Sequence, residues 1–230
     1  RDSIKVSQAE GNEPPYSKAD IQECIKHVVD VNWGDKTDIA PDIKMTMENA
    51  GHILGSSSVY MQIGDGKSEH RLLFSGDIKY EKSWLFDAAT VRFPKVDTLV
   101  IESTYGGPQS IQPTRHQASQ ELQDLVSDTL SRKGKIFCPV FAVGRSQEVM
   151  LAIDELFKSG RVPPVTVWLD GMISEASAIH SSHPNFLNRE LKKSMLRGGD
   201  ENPFNSSWFR QVDSREMRET ILLDPSPCIV

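Results

Sequence analysis

The sequence predicts an α/β protein in two structural halves. Up to about residue 112, short apolar runs with period two follow one another, as in a strand-rich, antiparallel half. Beyond that point, strand-like runs alternate with stretches of helical period, as in a parallel, doubly wound sheet. The 230 residues are 38% hydrophobic and 25% charged, an ordinary balance for a globular chain with a sizeable core.

The elements follow in order. The first residues read as a loop that ends in PPYSKADIQECIKHVV. There Ser17 can cap a helix, and Asp20 can complete an acidic variant of the capping box. Ile21, Cys24, Ile25 and Val28 follow at helical spacing, with His27 in the last turn, where a cation suits the helix dipole. DIKMTME (42–48) alternates as a strand. SVYMQIG places Val59, Met61 and Ile63 on one face of a second, and the turn GDGKSEH, with His70 exposed, leads to the apolar strand RLLFSG. VDTLVIEST reads as a buried strand over 96–101 that ends on Glu102.

Past Gly106, Thr114 caps a helix to about Arg132 with Leu122, Leu125, Val126 and Leu130 on one side. GKIFCPVF is a strand. Gly144 opens a helix that turns Val149, Ile153, Leu156 and Phe157 inward. VTVWLD is a strand, helices are expected near 172–182 and 184–197, and 198–212 reads as a loop. The last residues, ILLDPSPCIV, end on the start of one more strand.

Composition excludes some classes. No apolar run approaches the roughly 20 residues of a membrane helix, and RDSIKVSQAEGNE has no apolar segment of a signal peptide, so a cytoplasmic protein with no membrane partner is expected. Cys24, Cys138 and Cys228 lack C-x-x-C spacing and are expected to be buried, inert thiols. A net charge of −6 argues against a binder that works through bulk positive charge but leaves room for a local basic cleft. RELKKSMLR (189–197) reads as a solvated cationic helix face.

The chemistry centres on two places. His52 lies in the glycine-flanked loop NAGHILGSS, and Asp77 follows an apolar strand in FSGDIKY. Imidazole nitrogen and carboxylate oxygen are the donors of hydrolytic zinc sites. Glu102 ends a third strand and could share the same rim. By pattern alone, strand-end caps and turn hydrogen bonds are the plainer account. In FAVGRSQE, Arg145 at a helix start could clamp a phosphate, or the glycine could mark a simple strand-to-helix turn. In LDGMISEASAIH, with Glu175 and His180 on the same helix, Asp170 is expected to cap it.

In this order, NAGHILGSS, FSGDIKY, VIESTYGG, PVFAVGRSQE and LDGMISEASAIH closely resemble archaeal homologues of the cleavage and polyadenylation specificity factor nuclease, the β-CASP branch of the metallo-β-lactamase superfamily. The likeness runs from about Pro15 to the last residue. It implies a partial metallo-β-lactamase αββα sandwich (1–112) followed by part of a β-CASP α/β domain with a parallel sheet (113–230). The implied activity is RNA cleavage, as an endoribonuclease and also a 5′→3′ exoribonuclease, with two zinc ions in the intact parent. His52 then matches a ligand of one zinc, and Asp77 the aspartate that bridges both. Glu102 matches the acidic residue behind the ligands, and Arg145 an arginine near the RNA backbone. RNA is the implied partner, and the intact parent is implied to form a homodimer. The alternative is a non-catalytic β-CASP scaffold or RNA-binding subunit of a cleavage complex.

The sequence departs from that family by lacking its H-x-H-x-D-H ligand block. The six histidines (His27, His52, His70, His116, His180 and His183) contain no H-x-H pair. The family's two late histidine motifs would lie beyond SPCIV, and its preceding KH modules are not seen either. The expectation is an internal fragment that is inactive alone.

Overall fold

A computed structural model of the chain describes residues 2–65, 68–196 and 202–230. Arg197 of the cationic helix, 198–201 of the expected loop and two residues of the GDGKSEH turn lie outside the described residues.

The first half is a five-stranded sheet in sequential order. Strands β1 (Lys36–Ala40), β2 (Ile43–Asn49), β3 (Ser57–Ile63) and β4 (His70–Phe74) pair antiparallel. Strand β5 (Thr98–Val100) adds parallel to β4. Register runs from Ile43↔Ile63 to Asn49↔Ser57, so β2 and β3 deliver both ends of the His52 loop to the same edge of the sheet. Strand β1 is an addition to the expected set. A helix α1 (Asp2–Ala9) stands where a loop was expected.

Several expectations of burial fail. The strand at 96–101 is only three residues long, and Leu99, Val100 and Ile101 are exposed. It is an edge strand that only β4 covers, so its apolar residues gain little shelter. Helix α2 (Lys18–Lys26) carries the expected Ser17–Asp20 capping box but buries none of its residues. Cys24 on it is accordingly exposed, while Cys138 is half-buried and Cys228 buried, all three free.

The second half packs helices around short parallel strands. Strands β6 (Val167–Leu169) and β7 (Phe209–Gln211) pair parallel. Isolated parallel bridges Val167↔Ile229 and Ile136↔Ile229 add two further extended segments. GKIFCPVF thus contributes one bridged residue rather than a full strand, with Phe137 and Phe141 exposed. Helix α3 (Arg115–Ser131) begins at Thr114, whose hydroxyl accepts from Gln117 N–H. It buries Val126 and Leu130 but leaves Leu125 in solvent. Helix α4 (Arg145–Lys158) buries Met150, Leu151, Ile153, Leu156 and Phe157. Helices α5 (Ile173–Ser182), α6 (Arg189–Leu196) and α7 (Arg215–Leu223) complete the set. Neither α7 nor β7 is expected from the sequence, whereas the strand start expected at the end of ILLDPSPCIV is met by Ile229, which bridges Ile136 and Val167.

The main apolar core belongs to this half, yet Leu85 and Phe86, between β4 and β5, are buried in it. Asn188 fastens that insertion: its N–H donates to Leu85 O (2.7 Å) and its Nδ2 to Trp84 O (2.8 Å). Lys82 pairs with Glu190 of α6 alongside. Asp170 does not cap α5; it accepts from Gly171 N–H and takes a two-point bond from Arg218 (2.8 Å each).

His180 on α5 is buried between Phe86 and Phe204, with ring centroids 6.1 and 6.3 Å away. Its Nδ1–H donates to Ala176 O at 2.7 Å, and its Nε2 has no partner among the described residues. Burial lowers its pKa, so the folded state holds the ring neutral. An unfolded histidine titrates near about 6.5. As pH falls below that value the unfolded chain takes a proton that the folded one refuses, and stability drops. Urea midpoints measured from pH 8 down to 5.5 should therefore fall, and His180→Leu should flatten that slope.

Candidate active site

His52 lies between β2 and β3 in a loop fixed largely by its own polar groups. Ser56 Oγ accepts the N–H groups of His52 and Ile53 (3.1 Å each). Asn49 Oδ1 accepts Gly51 N–H (2.8 Å), while Asn49 Nδ2 donates to Ala88 O (3.1 Å). The hydroxyl-rich composition of NAGHILGSS thus serves the backbone, and the imidazole is left free to face outward.

Asp77 follows β4. The turn is held on both sides of it. Ser75 N–H donates to Val100 O, and Ile78 N–H donates to Glu102 Oε1 (2.9 Å each). Lys79 N–H then donates to Ala50 O (2.9 Å), which ties the aspartate's turn to the histidine's loop. The result places His52 Nε2 and Asp77 Oδ2 3.8 Å apart, the imidazole 39% and the carboxylate 71% exposed. That separation is too long for a hydrogen bond.

Glu102 does not join the pair as a third donor. Its Oε1 takes the Ile78 N–H, its Oε2 the Thr104 N–H (3.2 Å), and its own N–H donates to Ser75 Oγ (3.1 Å). The Thr104 side chain and the Ile78 N–H hold its pKa below the ordinary carboxylate value, with a smaller contribution from the field of His52. Its geometry is that of a brace on the residue after Asp77. Among the described residues no group of three or more His, Cys, Asp or Glu side chains stands close enough to hold a metal.

Arg145 starts α4. The backbone there is internally satisfied: Gly144 N–H donates to Gln147 Oε1 (2.7 Å) and Ser146 N–H to Phe141 O (3.2 Å). Any anion would therefore meet the guanidinium before the helix end. That guanidinium bonds Glu148 Oε2 (Nη1, 2.9 Å), and Glu148 Oε1 also accepts from Lys79 Nζ (3.3 Å). Gly144 lies against the histidine loop so closely that a Cβ there would stand 2.9 Å from Ile53 Cγ2. Sequence reading missed Lys79 and Glu148. The i,i+3 spacing of Arg145 and Glu148 was a signal for one contact, but nothing local announced the other, 69 positions apart.

Fold and site together define the class: an antiparallel sheet and a parallel α/β half meet beside an exposed His–Asp pair, and residues 146–230 match the Beta-Casp domain model. In its second half the chain therefore carries a Beta-Casp domain. More particularly, it is similar to proteins named transcription termination factor FttA. Identity is 46% over 229 residues with that of Methanosarcina mazei, 44% over 229 with that of Lokiarchaeum sp., and 41% over 230 with that of Pyrococcus horikoshii. Each alignment covers 100% of this chain but 36%, 35% and 35% of the relative, so the chain spans about a third of the length of the curated relatives it matches. No helix among the described residues is long and apolar enough to cross a membrane.

Proposed function

We propose that this chain contributes one edge of the metal site, and part of the cap over the cleft, in a two-zinc RNA-processing nuclease. The single observation that carries the reading is the 3.8 Å approach of His52 Nε2 to Asp77 Oδ2 in a chain with a Beta-Casp domain. The donor set fits a shared zinc as far as it goes. Zinc bonds of about 2.0–2.2 Å can span donor atoms up to roughly 4.0–4.4 Å apart. In this reading the antiparallel sheet is part of a metallo-β-lactamase sandwich, and His52 and Asp77 would be the residues of this chain that hold zinc.

Zinc, when bound, lowers the pKa of its water to about 7 and so makes hydroxide available near neutral pH. The chain's own residues set the geometry for this chemistry. Glu102 fixes the Ile78 backbone and so aims the Asp77 carboxylate. Arg145 steadies a phosphate of the RNA backbone without reading its sequence. Endoribonuclease cleavage, with 5′→3′ exonuclease action, is the proposed activity, in the cytoplasm and by a homodimer of the longer protein. The relatives' name, transcription termination factor, supports a role with RNA.

One observation favours a second reading, a non-catalytic RNA-binding scaffold: the described residues contain no cluster of three or more candidate ligands. Zinc analysis after dialysis, paired with cleavage of end-labelled RNA, separates the two. The full-length protein containing this chain should retain two zincs and cleave. This chain alone should retain no stoichiometric pair and should not cleave. A full-length protein that binds RNA but neither retains zinc nor cuts is the scaffold.

A further inference from the structure

Lys79 and Arg145 come from different halves of the chain and meet on one carboxylate. Lys79 Nζ reaches Glu148 Oε1 at 3.3 Å and Arg145 Nη1 reaches Glu148 Oε2 at 2.9 Å. The burial is graded. The Glu148 side chain is only 16% exposed, that of Lys79 36% and that of Arg145 56%. The counter-charge lies beneath and the two cations lie outward, so the group presents a surplus of one positive charge to solvent.

Position is fixed from below. The Lys79 backbone is bonded on both sides, its N–H to Ala50 O and its carbonyl from Ala89 N–H (2.9 Å each). It stands two residues from Asp77, on the turn that Glu102 braces. Arg145 follows Gly144, which rests on Ile53, the neighbour of His52. Both cations are therefore anchored to the two loops that carry the His52–Asp77 pair.

We propose that Lys79 is a second phosphate-positioning residue of this site, paired with Arg145 through Glu148 into a two-cation clamp for the backbone of single-stranded RNA. This deepens the nuclease reading and rests on it. The partners differ in kind: Arg offers a planar fork with donors to spare beyond Nη1, Lys a compact point charge. Held on the two oxygens of one carboxylate, they lie close enough to take the same or neighbouring phosphates. An arriving phosphate competes with a carboxylate that cannot leave, so the clamp loosens its grip on Glu148 without losing its place.

The test is the salt dependence of binding. Neutralising one phosphate of a single strand contributes about −0.7 to the slope of log K against log salt. Fluorescence anisotropy with a labelled 12-mer of oligouridylate should show a slope shallower by about 0.7 for Lys79→Met. Lys79→Arg should keep the original slope. Lys158→Met serves as control, because that lysine sits at the far end of α4 and pairs with Asp154. Its slope should not move. Circular dichroism spectra matching the unsubstituted chain establish that each variant is folded. An unchanged slope in Lys79→Met, with RNA binding otherwise normal, overturns the clamp and leaves the nuclease reading standing. If the unsubstituted chain shows no RNA binding at all, the clamp is overturned and the RNA reading of this chain falls with it.

Discussion

Asp77→Ala in the full-length protein should abolish RNA cleavage, by about 10³-fold or more, while RNA binding and thermal stability stay near those of the parent. A 10³-fold loss corresponds to about 4 kcal/mol of barrier. The argument for so large an effect without unfolding is geometric. The Asp77 side chain is 71% exposed, and its nearest ionic neighbour among the described residues is His52 at 3.8 Å. The turn around it is held by Ser75, Ile78 and Lys79 through backbone bonds that survive the substitution. Exposed substitutions of this kind usually change stability by no more than about 0.5 kcal/mol. A collapse of turnover with an intact melting temperature therefore reports lost chemistry. Normal turnover in the variant would remove Asp77 from the metal site.

Gly51→Ala should destabilise the chain by about 2–5 kcal/mol, a large share of the roughly 5–15 kcal/mol that holds a domain together. Gly51 has φ +68°, where an L-residue costs about 1–2 kcal/mol. A methyl group there would also meet three backbone atoms: Lys79 O at 2.8 Å, Ala89 N at 2.9 Å and Asp87 O at 3.0 Å. Backbone cannot swing away as a side chain can, and overpacking adds about 1–3 kcal/mol. The contrast lies four residues on. Gly55 shares the same left-handed backbone, φ +77°, but opens onto space. Gly55→Ala should cost only about 1–2 kcal/mol. Urea denaturation of both variants gives the comparison, and equal losses would show that the seating of the His52 loop on Lys79 and Ala89 is not what demands Gly51.

Local signals were legible in the sequence because their physics is local. Ser17 with Asp20, and Thr114, are side chains that reach a helix's free N–H groups within three residues, and both helices begin where those residues stand. Alternation in DIKMTME and SVYMQIG placed β2 and β3 within a residue or so. The nearness of His52 and Asp77 follows from β2 and β4, which both pair with β3 and so end at the same edge of the sheet. What failed depends on neighbours. REMRETILL carries a serine cap at Ser214, yet it buries only Ile221, so its helical period left no clear apolar face to read. The apolar run at 96–101 called for burial, yet its place at the sheet's edge gives it only β4 as cover. Strand β7 is three residues long, too short for a period to show, and its partner β6 lies some forty positions earlier in the chain. The Lys79–Glu148 contact joins the two halves and has no trace in either segment taken alone.

The most direct measurement is the anomalous scattering of zinc-soaked crystals of the full-length protein, recorded on both sides of the zinc absorption edge. The account predicts anomalous density within bonding distance of both His52 Nε2 and an Asp77 carboxylate oxygen. Zinc bound elsewhere, with both side chains free of it, would contradict the account.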